Sequence, residues 1–323
     1  MKLDDRIWSS GLFICGHPKS GTSLLMTMLD SHPELVVYPE ESHFFRKFLP
    51  AFFSDPDANL VDLALEYLLH IFDWNQTEPP DHQSGFPDRD YSDFSRQEIR
   101  RKFEQLINNR GHQPEVALPA AIISYGIVSG QVNERTKYWV EKTPYNEQYA
   151  EELFNFWPKA KCLHIIRDPR DNYASYKIKH ADWTPEQFAY SWWRSFEAGE
   201  RNAKRYGRDS YLVIRYEDLV QSPKDTIEEI IEFVGIQFDP ILQKPTRAGE
   251  MWAGNSMFGD SFGKISQKPA GRYKASLSDE HIRQIEDLLR FDMRSAGFLT
   301  DTQASISRSI IAWMKRFKWK LSG

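Results

Sequence analysis

An α/β fold built on a parallel sheet with helices on both faces is the architecture this sequence predicts, and three observations predict it. Short apolar runs of strand length alternate with stretches of helical period along the chain. A glycine-bounded loop, Gly16-His17-Pro18-Lys19-Ser20-Gly21, joins the first such run to the first helical stretch. Asp168-Pro169 marks the end of the later apolar run from Cys162 to Ile166, as a turn after a strand does.

The elements follow in order. Leu12-Phe13-Ile14-Cys15 reads as a buried strand, and Leu24, Leu25, Met28 and Leu29 set a helix from about Thr22 to Leu29 that stops at Ser31-His32-Pro33. Val36-Val37-Tyr38 is the second strand. Leu60, Leu63, Ala64, Tyr67, Leu68 and Ile71 share one helix face, and Ser95 with Glu98 forms a capping box ahead of Ile99, Phe103, Leu106 and Ile107. Residues 73–94, rich in Pro, Asp and Gly, read as an exposed loop in an insertion that faces substrate. Tyr138-Trp139-Val140, Cys162 to Ile166 and Tyr211 to Ile214 are further strands, and a helix is expected from about Pro223 to Val234. Pro245 to Arg272 holds five glycines and no periodicity, the signature of a binding loop, a lid or disorder; Ser278 then caps a last core helix that ends near Gly297. The expected organisation is one domain over 1–304 with helical insertions, followed by a basic amphipathic tail over 305–323.

Composition narrows the function. The 323 residues are 41% hydrophobic and 27% charged, with a net charge of -5, so a sizeable core is available and a global nucleic-acid surface is not expected. Any anion site must be local. The two cysteines, Cys15 and Cys162, sit in strand-like runs and read as buried structural thiols. No secretory signal or membrane-spanning run is visible, which makes a cytoplasmic location the default expectation. No metal-ligand spacing or G-x-S-x-G elbow occurs, and Asp168 and Asp171 read as turn and helix-cap residues, so metal-independent chemistry is expected.

The Gly16–Gly21 loop stands where a P-loop stands, between strand and helix, so its backbone N–H groups can hold a phosphate. A nucleoside triphosphate loop carries lysine directly after its second glycine. Here Thr22 fills that place and the cation is Lys19, inside the loop.

Pro18-Lys19-Ser20-Gly21-Thr22-Ser23 resembles the 5′-phosphosulfate loop of sulfotransferases that use 3′-phosphoadenosine 5′-phosphosulfate. The resemblance implies that Lys19, Ser20, Gly21, Thr22 and Ser23 contact the 5′-phosphate and the sulfuryl group. Three further segments extend it over most of the chain. Ile166-Arg167-Asp168-Pro169-Arg170-Asp171, with Ser175 eight residues after Arg167, is similar to the segment whose Arg and Ser hold the donor's 3′-phosphate. Glu40-Glu41-Ser42-His43-Phe44-Phe45 resembles the catalytic-base segment of heparan-type and related bacterial sulfotransferases, which puts Glu41 at the base, with His43 beside it and Glu40 as the alternative. Glu141-Lys142-Thr143-Pro144 resembles the segment whose lysine approaches the transferring group. Arg215-Tyr216-Glu217-Asp218 implies Tyr216 near the adenine, and Gly271-Arg272-Tyr273 implies Arg272 over the 3′-phosphate, although the cytosolic form of that segment reads Arg-Lys-Gly.

The expected activity is transfer of a sulfuryl group to a hydroxyl or amine. The acceptor stays open among a glycan, a lipid, a peptide tyrosine and a small alcohol. A small-molecule P-loop kinase and a non-catalytic nucleotide-binding membrane adaptor remain as rival readings. In the tail, Ile306, Ile310, Met314, Phe317 and Leu321 line one helical face, while Arg308, Lys315, Arg316, Lys318 and Lys320 crowd the rest, with Trp313 and Trp319 placed for a lipid interface. Both packing on the domain or a partner subunit and peripheral membrane contact follow from that pattern.

Overall fold

The computed structural model describes residues 5–55, 57–252, 254 and 270–322, the last three of these without their side chains. Five parallel strands, β1 (Gly11–Cys15), β2 (Leu35–Val37), β3 (Tyr138–Lys142), β4 (Lys161–Ile166) and β5 (Tyr211–Arg215), form one sheet in the order β2-β3-β1-β4-β5. The helices are α1 (Thr22–Leu29), α2 (Leu49–Ser54), α3 (Leu60–Tyr67), α4 (Arg96–Arg110), α5 (Pro114–Val128), α6 (Ala150–Phe156) and α7 (Pro169–Tyr176). They continue with α8 (Pro185–Tyr206), α9 (Tyr216–Gln221), α10 (Pro223–Val234), α11 (Tyr273–Ser276), α12 (Asp279–Ser295) and α13 (Ile306–Ser322). A two-stranded hairpin, β6 (Thr246–Arg247) and β7 (Glu250–Met251), opens the glycine-rich stretch, most of which lies outside the described residues.

Alternation along β1 explains why both sheet faces are covered. Phe13 and Cys15 enter a core with α4, α5 and the aromatic residues Trp139 and Trp157, while Leu12 and Ile14 enter a second core with α1, α9 and α10. The chain leaves β1 toward β2 on one side and later builds β4 and β5 on the other, so the strand order reverses beside β1. Ligands in open α/β sheets bind at such a switch point, beyond the carboxyl ends of the strands.

The cysteines are buried as expected, with Sγ atoms 3.3 Å apart. The register pairs Phe13 with Cys162 and Cys15 with His164, so their Cα atoms are offset by two residues. At ordinary strand spacings that separates them by about 8 Å, too far for a disulfide.

Two sequence expectations are corrected. The face from Leu60 to Ile71 is split, because α3 ends at Tyr67 and Ile71 lies in a separate 3-10 turn, His70–Asp73. Residues 73–94 are not simply an exposed loop: Trp74, Gln83 and Tyr91 are buried, and Gln83 holds the segment together by donating to the carbonyls of Phe86 and Arg89. The tail helix packs on the domain, one of the two readings its pattern allowed, through three of its basic residues and Trp319, while Lys318 is exposed. Arg308 pairs with Asp287, Arg316 with Asp292 and Lys315 with Glu186, while Trp319 packs against Tyr190 and Trp193. Ile306, Ile310, Trp313, Met314 and Phe317 face outward; the side chains of Lys320 and Leu321 lie outside the described residues.

Burial of a side chain the size of Trp319 contributes roughly 2–3 kcal/mol. Deleting residues 305–323 is therefore expected to lower the melting temperature by roughly 3–5 °C, measured by scanning calorimetry. An unchanged melting temperature would show that α13 contributes nothing to the fold.

Candidate active site

The Gly16–Gly21 loop opens with a backbone conformation that only glycine permits. Gly16 has φ 137, and a Cβ there would meet the Ile165 carbonyl at 2.3 Å. Its N–H donates to Glu147 Oε2 (2.9 Å), on a carboxyl that burial pushes up to about 7 against hydrogen bonds from Ser195 and Gly16. His17 sits beneath the loop, with Nδ1 3.2 Å from Asn172 Oδ1 and Nε2 3.2 Å from Ser191 Oγ. Burial lowers its pKa to about 4, so it is a neutral prop. Lys19, His43 and Tyr145, all non-glycine, hold left-handed backbone with φ 69, 50 and 69. All three belong to the segments that line this cleft, where such strain commonly sits.

Ser20 Oγ is buried and makes no hydrogen bond among the described residues. It lies in a loop that ends at the N-terminus of α1, so a phosphate oxygen is the partner its position fits. Burial, with Lys179 and Lys142 adding and Glu41 opposing, lowers the Lys19 pKa to about 8. Lys19 is thus charged at neutral pH and loses its charge just above it.

Lys142 ends β3, and its Nζ donates to Glu41 Oε1 at 2.8 Å. Burial pushes the Glu41 carboxyl up, but the charge and hydrogen bond of Lys142, with His43 and Arg46 adding, leave it below the ordinary value. His43 Nε2 lies 3.7 Å from Glu41 Oε2, and Arg46 donates to His43 Nδ1 at 3.1 Å. Burial, together with Lys47, Arg46 and Lys142, holds His43 near 4 despite Glu41. A neutral ring that accepts at Nδ1 carries its proton on Nε2, facing Glu41.

Glu40 points elsewhere. It is buried, and Oε1 accepts from Arg89 Nε (2.8 Å), Tyr91 OH (2.7 Å) and Arg247 (2.8 Å). The sequence reading missed this clamp, since nothing local marks Arg89 or Arg247 as partners of a distant glutamate. It also missed Glu141. That buried carboxylate accepts from Ser42 Oγ at 2.7 Å and Asn146 Nδ2 at 2.8 Å, which ties the Glu41 segment to β3.

On the other side of the switch point, the Arg167 guanidinium donates to the Lys19 carbonyl (2.9 Å) and to Ser175 Oγ (3.3 Å). It lies 4.6 Å from the centroid of the Tyr216 ring. Asp168 caps α7 by accepting from Arg170 N, as expected. Asp171 is not a cap: its carboxylate accepts from the backbone of Gly271 and Tyr273. That contact sets Arg272 at the entrance to α11. Among the described residues no group of three or more His, Cys, Asp or Glu is arranged to hold a metal. No described helix is long and apolar enough to cross a membrane.

The carboxyl ends of the parallel strands thus lead into the Gly16–Gly21 loop, Lys142 and the Arg167–Ser175 pair. The chain belongs to the sulfotransferase family, whose family model matches residues 11–240. It is 25% identical over 234 residues to protein-tyrosine sulfotransferase A of Caenorhabditis elegans, covering 71% of this chain and 50% of that one. It is 24% identical over 246 residues to protein-tyrosine sulfotransferase 2 of Gallus gallus, covering 74% and 55%. The chain thus spans about half the length of these curated relatives. Among solved structures, the sulfotransferase domain from the curacin biosynthetic pathway shares its fold, with a TM-score of 0.51, 18% identity, and coverage of 90% of this chain and 98% of that one.

Proposed function

We propose that the chain transfers a sulfuryl group from 3′-phosphoadenosine 5′-phosphosulfate to a hydroxyl or amine. The observation that carries this reading is the junction of two anion sites through one residue. Lys19 belongs to the phosphate loop, and its carbonyl is gripped by Arg167, which also reaches Ser175. A ligand with phosphates at both ends of one nucleoside fits that pair of sites, with Tyr216 beside the base.

In this mechanism Glu41 accepts the acceptor's proton as its oxygen or nitrogen attacks sulfur in line. The bond from sulfur to the 5′-phosphate oxygen breaks, and that oxygen keeps the electron pair. Lys19 and Lys142 neutralise the charge that develops there. Lys142 starts on Glu41, so its move toward the leaving oxygen frees the base as the oxygen needs a cation. His43 orients Glu41, and adenosine 3′,5′-bisphosphate leaves. Relatives named for tyrosine and for carbohydrate transfer keep peptides and glycans among the acceptors, beside lipids and small alcohols.

Thermal-shift measurements test the donor assignment. Adenosine 3′,5′-bisphosphate is expected to raise the melting temperature clearly more than adenosine 5′-phosphate, because only the former engages Arg167 and Ser175. Equal shifts, or a larger response to Mg-ATP, would favour a kinase.

A further inference from the structure

We infer that Asp171 is a positioning residue for the donor's 3′-phosphate, acting by fixing the backbone on both sides of Arg272. The inference rests on the donor reading above and adds a residue that never touches the donor. Asp171 lies in the first turn of α7, where an acidic residue ordinarily serves its own helix. Here Asp168 has already taken the cap. The Asp171 carboxylate, 2% exposed, is instead spent on chain 100 residues later: Oδ2 accepts from Gly271 N at 2.6 Å and Oδ1 from Tyr273 N at 2.8 Å. The residue between those two amides is Arg272.

The turn is built for this grip. Gly271 has φ 78 with open space around its Cβ direction, so glycine is there for the backbone conformation that aims its N–H. The Tyr273 ring packs 4.2 Å from the Arg170 guanidinium, and its hydroxyl donates to Asp301. Adjacent residues of one short string therefore hold the same turn, Arg170 through a side chain and Asp171 through the backbone. Ser175, which Arg167 reaches, lies one turn after Asp171 on α7, so the turn that carries Arg272 is held from the same helix that carries this Arg–Ser pair. An aspartate repels a phosphate, so its benefit to the donor must pass through the arginine it places.

Asp171→Asn keeps the side chain's shape but replaces one acceptor with a donor. Its discrimination between adenosine 3′,5′-bisphosphate and adenosine 5′-phosphate, read by calorimetry, is expected to fall about 10-fold. The KM for the donor should rise while kcat at saturating donor stays within a factor of about two. In an Arg272→Ala background the same substitution should cause no further loss, because both act through one contact. A folded Asp171→Asn protein with unchanged discrimination, equal loss of affinity for both nucleotides, or additive losses in the double variant would overturn the inference. If Asp171→Asn does not fold, Arg272→Ala alone decides: intact discrimination in that variant sinks the proposal. A wild-type chain with no preference for the bisphosphate would instead sink the donor reading, which is a separate result.

Discussion

Glu41→Gln is expected to lower turnover by about 10²-fold or more, while the affinity for adenosine 3′,5′-bisphosphate stays within a factor of about two. The amide keeps the shape of the carboxylate and cannot accept the acceptor's proton. Binding should survive because the proposed phosphate contacts come from the loop and from Arg167 and Ser175. Steady-state rates with labelled donor, together with calorimetry on the bisphosphate, measure the two halves separately. Glu40→Gln provides the contrast. Its carboxylate faces Arg89, Arg247 and Tyr91 in a buried cluster, so its loss should appear mainly as lost stability. Breaking one partner of a buried ion pair costs about 3–5 kcal/mol. Normal turnover in Glu41→Gln, with loss in a folded Glu40→Gln protein, would move the base one residue back.

Lys142→Met is expected to reduce kcat by about 10²-fold and also to move the acid limb of the pH–rate profile to higher pH. The sign follows from what acts on Glu41. Burial pushes its carboxyl up, and Lys142 is the main influence that brings it below the ordinary value. Without the lysine, burial dominates and the carboxyl holds its proton to higher pH. The base is active only when deprotonated, so activity should begin to fall at a higher pH than in the wild type. A rate loss with an unmoved acid limb would place Lys142 away from the base in the working enzyme. A moved limb with little rate loss at the optimum would remove its role at the leaving oxygen.

Much of this architecture could be read in advance where local pattern carries the information. Strands such as Leu12–Cys15 are short apolar runs bounded by turn residues, and α10 was legible from a proline at its start and a glycine after its end. The loop around Lys19 and the Arg167–Ser175 pair were legible because their spacing is fixed by a strand-to-helix turn. Contacts between distant segments were not. Arg89, Tyr91 and Arg247 look like ordinary polar positions until the fold brings them to Glu40. The orientation of α13 was also hidden. Its periodicity shows two faces, but which one packs inward depends on Glu186, Asp287 and Asp292, which draw the basic side to the protein.

The contact between Gly21 and Tyr216 limits which side chains this site can accept. A Cβ at position 21 would lie 2.4 Å from the Tyr216 ring, on a residue whose φ of 107 already disfavours any side chain. The glycine that ends the phosphate loop is therefore also the seat of the aromatic ring beneath Arg167. A larger residue at 21 would displace the ring, and a smaller residue at 216 would relieve the clash but not the backbone strain. A substitution at either position is accordingly expected to disturb the loop and the ring together.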